Sequence, residues 1–387
     1  MSSSCPSQDL IEMRITKIES RIIGYDIGEA WLPEGPPDGL HSTWYSYSLD
    51  AFHTDEGIVG YTMQNTNVPD GDKMADVLHS VYWPELRGQD PTNIEYLWDK
   101  LRRVNRHAYN LSDGVHGSID VALWDIVGKV ANQPIAKLLG MARNKVPAYR
   151  TASSVRPDPE AVFNEARRVK AENYHGFKIQ FWDGIDQDIP RFRAAREAVG
   201  PDYPLMQDAA GMYSFTQALE AGRELGRLGY YWFEEPIPDR QLFQLQRLTH
   251  DLEVPILSGE TSRVYELAEG MRIGAFDIAR GDVHLKEGIT GLRKAIGMAD
   301  LLGFDLEVHG IGQPLLECAN LHVSASMTNG RWCETFHPVY AKGLKGSPLA
   351  VDADGYKHVP MGPGLGVELD WDWIDTVTQR VVTSPKA

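Results

Sequence analysis

The sequence predicts an α/β protein, a modified (β/α)8 TIM barrel with an N-terminal α+β capping domain. Two observations carry this reading. Between Phe177 and Phe336, short apolar runs each end on an acid or base, in GFKIQFW, PLMQDAAG, YYWFEEP, PILSGE, FDIARGD, FDLEVHG and RWCETFHP. Asp208, Glu234, Glu260, Asp282, His309 and Glu334 follow one another at steps of 26, 26, 22, 27 and 25 residues, the mark of a repeated supersecondary unit. Between the runs, apolar residues recur at helical spacing, as in Phe215, Ala218, Leu219, Gly222, Leu225 and Leu228. Strand and helix alternating at this period make a parallel sheet, and a closed barrel gathers polar strand-end residues at one mouth.

The elements follow in order. Residues 1–12 read as a disordered polar lead-in. Residues 13–145 form the capping domain, beginning with a strand in RITKIESRII and two more in YSYSLDAFHTDEGIVGYTMQ, joined by a turn at Asp55, Glu56 and Gly57. The intervening IGEAWLPEGPPDGLHSTW is rich in Pro and Gly, too long for a hairpin turn, and reads as a lid. Residues 74–141 look helical throughout, with Ile119, Ala122, Leu123, Ile126 and Val127 on one face and Pro134 opening the next helix. The barrel spans 146–339, with VPAYRTASS as its first strand and RWCETF as its eighth. Residues 340–387 lose the period and are expected to return to the capping domain.

Composition narrows the function. The chain has 387 residues, 42% hydrophobic and 24% charged, a size suited to a barrel plus a second domain. Its net charge of −16 argues against nucleic acid or an anionic membrane as partner, so a small-molecule substrate is expected. Cys5, Cys318 and Cys333 form no zinc pattern and suit a reducing cytoplasm. The N-terminal residues resemble no signal peptide, and a cytoplasmic location is expected.

Asp208, Glu234 and Glu260 end three successive strands, so their carboxylates would stand side by side. Like charges so placed raise one another's pKa, and a divalent cation relieves the conflict. All-oxygen donors without Cys or His select a hard ion, and Mg²⁺ suits three carboxylates with open positions. The competing reading, that each is a helix-capping acid, weakens when three occupy matching positions. Glu235 would point to the opposite side of the strand.

Asp282 and His309 end the next two strands. A carboxylate on one imidazole nitrogen fixes the tautomer and leaves the other nitrogen as a base. His284 and His337 rank below His309 for this role. Lys178 lies among Phe177, Ile179 and Phe181, where a buried charge would need an anion. Glu334 is either a protonated acid that hydrogen-bonds a developing oxyanion or a helix-capping acid.

These residues resemble the enolase superfamily and, within it, the mandelate racemase subgroup. The resemblance covers almost the whole chain: the SIDVALWDIVGK helix, the DAAG, FEEP and LSGE strands, the Asp282 and His309 pair, Glu334 and the closing PGLGVELD. It implies Mg²⁺ on Asp208, Glu234 and Glu260, and specificity loops near residues 26–45 and 63–73. It implies removal of the proton beside a substrate carboxylate to give an enediolate, with Lys178 holding the carboxylate and His309 as base. Gln180, His41, Trp44, Asn65 and His337 are the candidate substrate contacts, and an even-numbered homo-oligomer, a dimer or octamer, is expected.

The chain also departs from the resemblance. The subgroup commonly carries Lys-x-Lys on the second strand, where this chain has Lys178, Ile179 and Gln180, and an amide cannot titrate. Ala210 stands where Asn is frequent, and Arg280 and Gly281 precede Asp282 where Pro is usual. A single base suits a syn elimination, so an acid-sugar dehydratase is expected, yielding a 2-keto-3-deoxy acid from an aldonate or aldarate. The alternatives are a cycloisomerase of a sugar-acid lactone or anhydro-sugar acid, a racemase or epimerase, and a non-catalytic binding protein on the same scaffold.

Overall fold

The computed structural model describes residues 13–27, 44–64, 71–108, 111–152 and 158–385. Its first three strands, β1 (Ile15–Asp26), β2 (Trp44–Thr54) and β3 (Val59–Gln64), form an antiparallel meander. The β2–β3 turn needs a left-handed residue, which Gly57 supplies at φ +76°.

The following segment is not continuously helical, as the sequence had suggested. Helix Gly71–Val77 runs into a π turn at Leu78–Tyr82 and a short helix at Trp83–Leu86; the chain then breaks before helix Ile94–His107. Gly88 at φ +72° and Pro91 explain the break, since neither favours a helix interior.

Helix Asp113–Val130, N-capped by Ser112, packs against β3 on one side and barrel helix Gly288–Leu302 on another. It is therefore buried nearly all round: Ile119, Ala122, Leu123 and Ile126 are enclosed and Val127 is half-buried, but so are Ser118, Asp120 and Asp125. Its acids serve as ties. Asp120 accepts from the Thr290 amide at 2.9 Å and hydroxyl at 2.7 Å. Asp125 accepts from the amides of Tyr61 and Leu365, both at 2.9 Å, joining β3 to the PGLG turn.

The barrel consists of β4 (Lys145–Thr151), β5 (Gly176–Gln180), β6 (Leu205–Asp208), β7 (Trp232–Glu234), β8 (Ile256–Ser258), β9 (Ile278–Gly281), β10 (Asp305–Val308) and β11 (Cys333–Thr335). All neighbours run parallel, and β11 closes on β4 through the pairs Cys333–Ala148, Glu334–Tyr149 and Thr335–Arg150. A helix follows each of the first seven strands; after β11 comes only the 3₁₀ turn Pro338–Ala341, which is the modification of the barrel. Beyond it, β12 (Tyr356–His358) pairs antiparallel with the start of β4, and β13 (Thr378–Thr383) pairs antiparallel with β1. No helix among the described residues is long and apolar enough to cross a membrane.

The barrel floor is a separate apolar plug of Tyr149, Met206, Trp232, Leu257 and Trp332. Tyr149 meets Trp232 edge-on at 5.6 Å between ring centroids. Burying aromatic rings this way fills the barrel below its mouth, so the polar residues above rest on a rigid, dry base.

The capping helix reaches the strand-end region through two glycines. A Cβ on Gly117 would run into the carbonyls of Val283 and His284, and one on Gly114 into the His284 ring. Helix propensity alone would make Gly117→Ala stabilising by ~1 kcal/mol. The backbone clash predicts the opposite sign, a loss of ~1–3 kcal/mol. Chemical denaturation of the variant decides between them.

Candidate active site

The strand-end acids and bases converge as their spacing suggested, but at different depths. Asp208 and Glu234 are the last residues of β6 and β7 and are paired in register. Glu260 lies two residues beyond β8, Asp282 one beyond β9 and His309 one beyond β10. Lys178 does not end its strand: Gln180 does, and Lys178 lies lower, level with Met206 and Trp232.

Lys178 is 1% exposed and surrounded by carboxylates. Its Nζ is 3.1 Å from Asp208 Oδ2, 3.1 Å from Glu234 Oε2 and 2.8 Å from Glu334 Oε1. Burial alone would pull its pKa down, but Glu234, Glu334 and Asp208 outweigh it and hold the ammonium well above the usual lysine range.

A second buried cation, Arg280 on β9, is the residue that the sequence reading missed as a site member. Its Nη2 is 2.6 Å from Glu334 Oε2 and donates to the Tyr149 hydroxyl at 3.0 Å. Its Nε is 2.9 Å from Glu234 Oε1 but poorly aligned, which leaves that oxygen without a hydrogen bond. The signal was present in FDIARGD: Arg280 is two residues before Asp282, on the same side of a strand already read as facing the barrel.

Of the two roles considered for Glu334, helix capping is not seen. No helix follows β11 for it to cap. Burial opposes its charge, yet Lys178 and Arg280 keep its pKa well below the usual carboxylate range.

The Asp282 and His309 pair forms directly. His309 Nδ1 donates to Asp282 Oδ2 at 2.8 Å, and Nε2 lies 3.3 Å from Glu260 Oε2. Burial disfavours the imidazolium, but Glu260 and the Asp282 hydrogen bond prevail and push the His309 pKa up to about 9. Asp282, despite its burial, is held below the usual range by His309. Backbone contacts fix the ring's origin: the His309 amide donates to Gly281 O and Asn320 Nδ2 donates to His309 O, both at 2.9 Å.

Glu235 leaves the strand at φ +40° and pairs with Asp239, which is also held by Ser258 Oγ and the amides of Gly259 and Thr261. Burial beside Asp239 raises the Glu235 pKa well above the usual range. Ala210 sits at φ +47°, a left-handed position that explains why Asn suits it, and its amide donates to Asp208 Oδ1 at 2.9 Å.

The remaining candidates are dispersed. Gln180 Nε2 donates to Asp208 Oδ2 at 3.2 Å, while its Oε1 is buried with no partner among the described residues. His284 is packed against Gly114 of the capping helix. His337 Nδ1 accepts from the Val339 amide, and His337 lines a cavity of about 770 Å³ between the C-terminal segment and the barrel whose lining includes none of the five strand-end acids. Trp44 opens β2 and is 43% exposed, against Gly24. His41 and Asn65 lie outside the described residues, as do most of the two loops expected to confer specificity.

As they stand, Asp208, Glu234 and Glu260 do not close around one point, because Lys178 lies between the first two and Glu260 turns to His309. Among the described residues, no three potential ligands converge tightly enough to hold an ion without rearrangement. The donor set still fits a hard cation: three carboxylates from adjacent strand ends, one with a buried oxygen lacking a hydrogen bond.

A closed barrel under an antiparallel cap, with carboxylates and a His–Asp pair at the strand ends, defines a class of barrel protein whose polar groups gather at one mouth. Residues 161–373 match the family model described as enolase C-terminal domain-like. Residues 45–140 match that of the mandelate racemase / muconate lactonizing enzyme N-terminal domain. The chain is 36% identical to arabinonate dehydratase of Saccharolobus solfataricus, over 81% of this chain and 85% of that protein. It is 32% identical to D-galactarolactone cycloisomerase of Agrobacterium fabrum, over 74% of this chain and 80% of that protein. The crystal structure of D-glucarate dehydratase from Agrobacterium tumefaciens complexed with magnesium superposes with a TM-score of 0.85 at 31% identity, over 95% of this chain and 100% of that one. The chain belongs to the enolase superfamily, in its mandelate racemase subgroup, and is an enzyme.

The geometry makes a specific prediction for the metal-free protein. Glu260 is the leading source of the raised His309 pKa, so removing its charge must lower that value. In Glu260→Gln, the ring titration followed by NMR should move from about 9 toward the ordinary histidine value. An unchanged titration would show that Glu260 does not face the ring.

Proposed function

We propose that the protein is a Mg²⁺-dependent sugar-acid dehydratase, a carbon–oxygen lyase that converts an aldonate or aldarate to a 2-keto-3-deoxy acid. The observation that carries this is the asymmetry of the base. His309 presents Nε2 with Asp282 behind it, whereas Lys178 is an ammonium locked by three carboxylates and Gln180 is an amide.

Asp208, Glu234 and Glu260 would hold the metal. Charge balance supports a divalent ion. Asp208, Glu234, Glu260, Asp282 and Glu334, counted as ionised, face the cations Lys178 and Arg280, which leaves three negative charges when His309 is the neutral base. When bound, Mg²⁺ supplies positive charge that makes the second negative charge on the substrate carboxylate tolerable.

His309 Nε2 takes the proton beside the carboxylate, and Asp282 stabilises the resulting imidazolium. Lys178 offers its charge as the enediolate forms. The electron pair then expels the hydroxyl one carbon further on, and His309 returns its proton to that oxygen, so water leaves. The enol that remains tautomerises to the 2-keto-3-deoxy acid. Gln180 Oε1, buried and without a partner among the described residues, would accept from a substrate hydroxyl.

The same base could expel a ring oxygen, and the cycloisomerase among the similar proteins makes that the second reading. A racemase would need a second base where Lys178 is held protonated.

The test is a panel of aldonates and aldarates in D₂O with Mg²⁺, followed by NMR. We expect exchange or loss of the α-proton and a 2-keto-3-deoxy product, abolished by EDTA and restored by Mg²⁺. His309→Asn should lower the rate ~10²–10⁴-fold. No α-proton chemistry with any acid, or survival of it in His309→Asn, would sink the reading.

A further inference from the structure

Of the three acids proposed to hold the metal, Glu260 is the one its strand does not carry. Asp208 and Glu234 end β6 and β7 and are paired in the ladder, whereas at Gly259 the backbone turns to φ +108° and Glu260 stands beyond β8. Two side chains from the neighbouring loops grip this segment instead. Asp239, buried in the loop after β7, accepts from the Gly259 amide at 2.7 Å through Oδ1 and from the Thr261 amide at 2.8 Å through Oδ2. Lys286, fully enclosed in the loop after β9, donates from Nζ to the Glu260 carbonyl at 2.5 Å. The backbone on both sides of Glu260 is thus tied down, while its carboxylate stays free to turn.

The chain makes room for Lys286. Its stem lies against Gly281, where a Cβ would come within 2.8 Å of Cγ and 2.9 Å of Cε. The φ of Gly281 lies outside the left-handed region, so space, not backbone freedom, is what glycine supplies there. On the other side, a Cβ on Gly291 would meet the Lys286 carbonyl at 1.9 Å. Gly281, a departure from the family pattern in the sequence, therefore has a structural reason.

Lys286 also belongs to the turn behind the base. Asp282 Oδ1 accepts from the Leu285 amide at 2.6 Å, and the Lys286 amide donates to Asp282 O at 3.0 Å. Through its side chain this turn, which carries the partner of His309, is joined to the Glu260 backbone.

We propose that Asp239 and Lys286 are positioning residues that clamp the Glu260 backbone, with Lys286 setting the separation between that acid and the Asp282–His309 pair. An amine and an ammonium both donate, so the role of Lys286 does not depend on its charge. The kinetic consequence rests on the proposed Mg²⁺ and α-proton chemistry; the clamp itself does not.

The test compares wild type with Lys286→Met, Asp239→Asn, Gly281→Ala, Lys286→Ala and the double variant Lys286→Ala/Gly281→Ala. Met keeps the stem and removes the donor, and Asn leaves one acceptor oxygen for two amides. Should Lys286→Met fail to fold, Gly281→Ala displaces the same amino group with the side chain intact. In the metal-free protein, hydrogen exchange in peptides covering 257–262 should quicken ~10-fold in each single variant, with the other barrel strands unchanged. The Mg²⁺ Kd measured by calorimetry should rise ~10–100-fold. At saturating Mg²⁺, kcat should fall ~10-fold with KM within ~3-fold of wild type. Gly281→Ala acts by pushing on the Lys286 stem, so it should cost nothing further in Lys286→Ala.

Unchanged exchange at 257–262 in Lys286→Met or in Asp239→Asn would overturn the proposal. So would a Mg²⁺ Kd within ~3-fold of wild type in both, or a Gly281→Ala cost that persists in Lys286→Ala. Should the wild type bind no Mg²⁺ or turn over no sugar acid, the functional reading fails alone and the exchange result still decides this one.

Discussion

Five carboxylates share one small volume at the strand ends, and the architecture depends on their being neutralised there. Taking an ion out of water costs several kcal/mol even after relaxation, and only close partners offset it. Lys178 and Arg280 are those partners, both fully enclosed, each touching more than one acid. Without either, several buried anions would repel one another across the barrel with no solvent to screen them. The arrangement is therefore all or nothing, and the acids, the cations and the strand register that aligns them belong to one unit.

The rest of the fold follows from that requirement. Strands as short as three residues, such as β7 and β8, suffice because each needs only to deliver one side chain to the mouth. The aromatic plug beneath excludes water from the lower side of the cluster, and its Tyr149 hydroxyl and Trp232 indole present polar edges upward to Arg280 and Glu234. The capping helix closes in from the side of β9, where Gly114 and Gly117 allow it to touch the segment that carries Asp282. Asp120 and Asp125 then tie that helix to barrel and C-terminal segment alike, so cap and barrel are registered by buried hydrogen bonds as well as apolar contact.

Much of this was legible because a βα barrel writes its period into the sequence. Asp208, Glu234 and the Asp282–His309 pair stand where their spacing put them. What was not legible lay off the period. Lys178 was read as a strand end, but alternation gives Lys178 and Gln180 the same side of β5, and the lower of them is the one enclosed by acids. Arg280 was read as a departure from a motif instead of a charge, although a cation inside an apolar strand two residues from Asp282 has only the barrel interior to enter. Glu334 depended on partners from three other strands and could not be weighed from its own segment. The capping helix read as amphipathic because a 3.6-residue period cannot reveal a second and third packing surface.

Charge balance also bears on the type of reaction. In the metal-free site Lys178 could give up a proton only with Asp208, Glu234 and Glu334 all within reach, and Glu334, which is no proposed metal ligand, still stabilises the ammonium when the other two turn to the ion. His309 is different, because its raised basicity comes chiefly from Glu260, the acid proposed to turn to the metal. Drawing Glu260 away would relax His309 toward a working pKa while leaving Glu334 on Lys178. One side of the site would then hold a poised base and the other a fixed cation. That asymmetry favours expulsion of a group from the face that His309 serves over transfer of a proton from one face to the other.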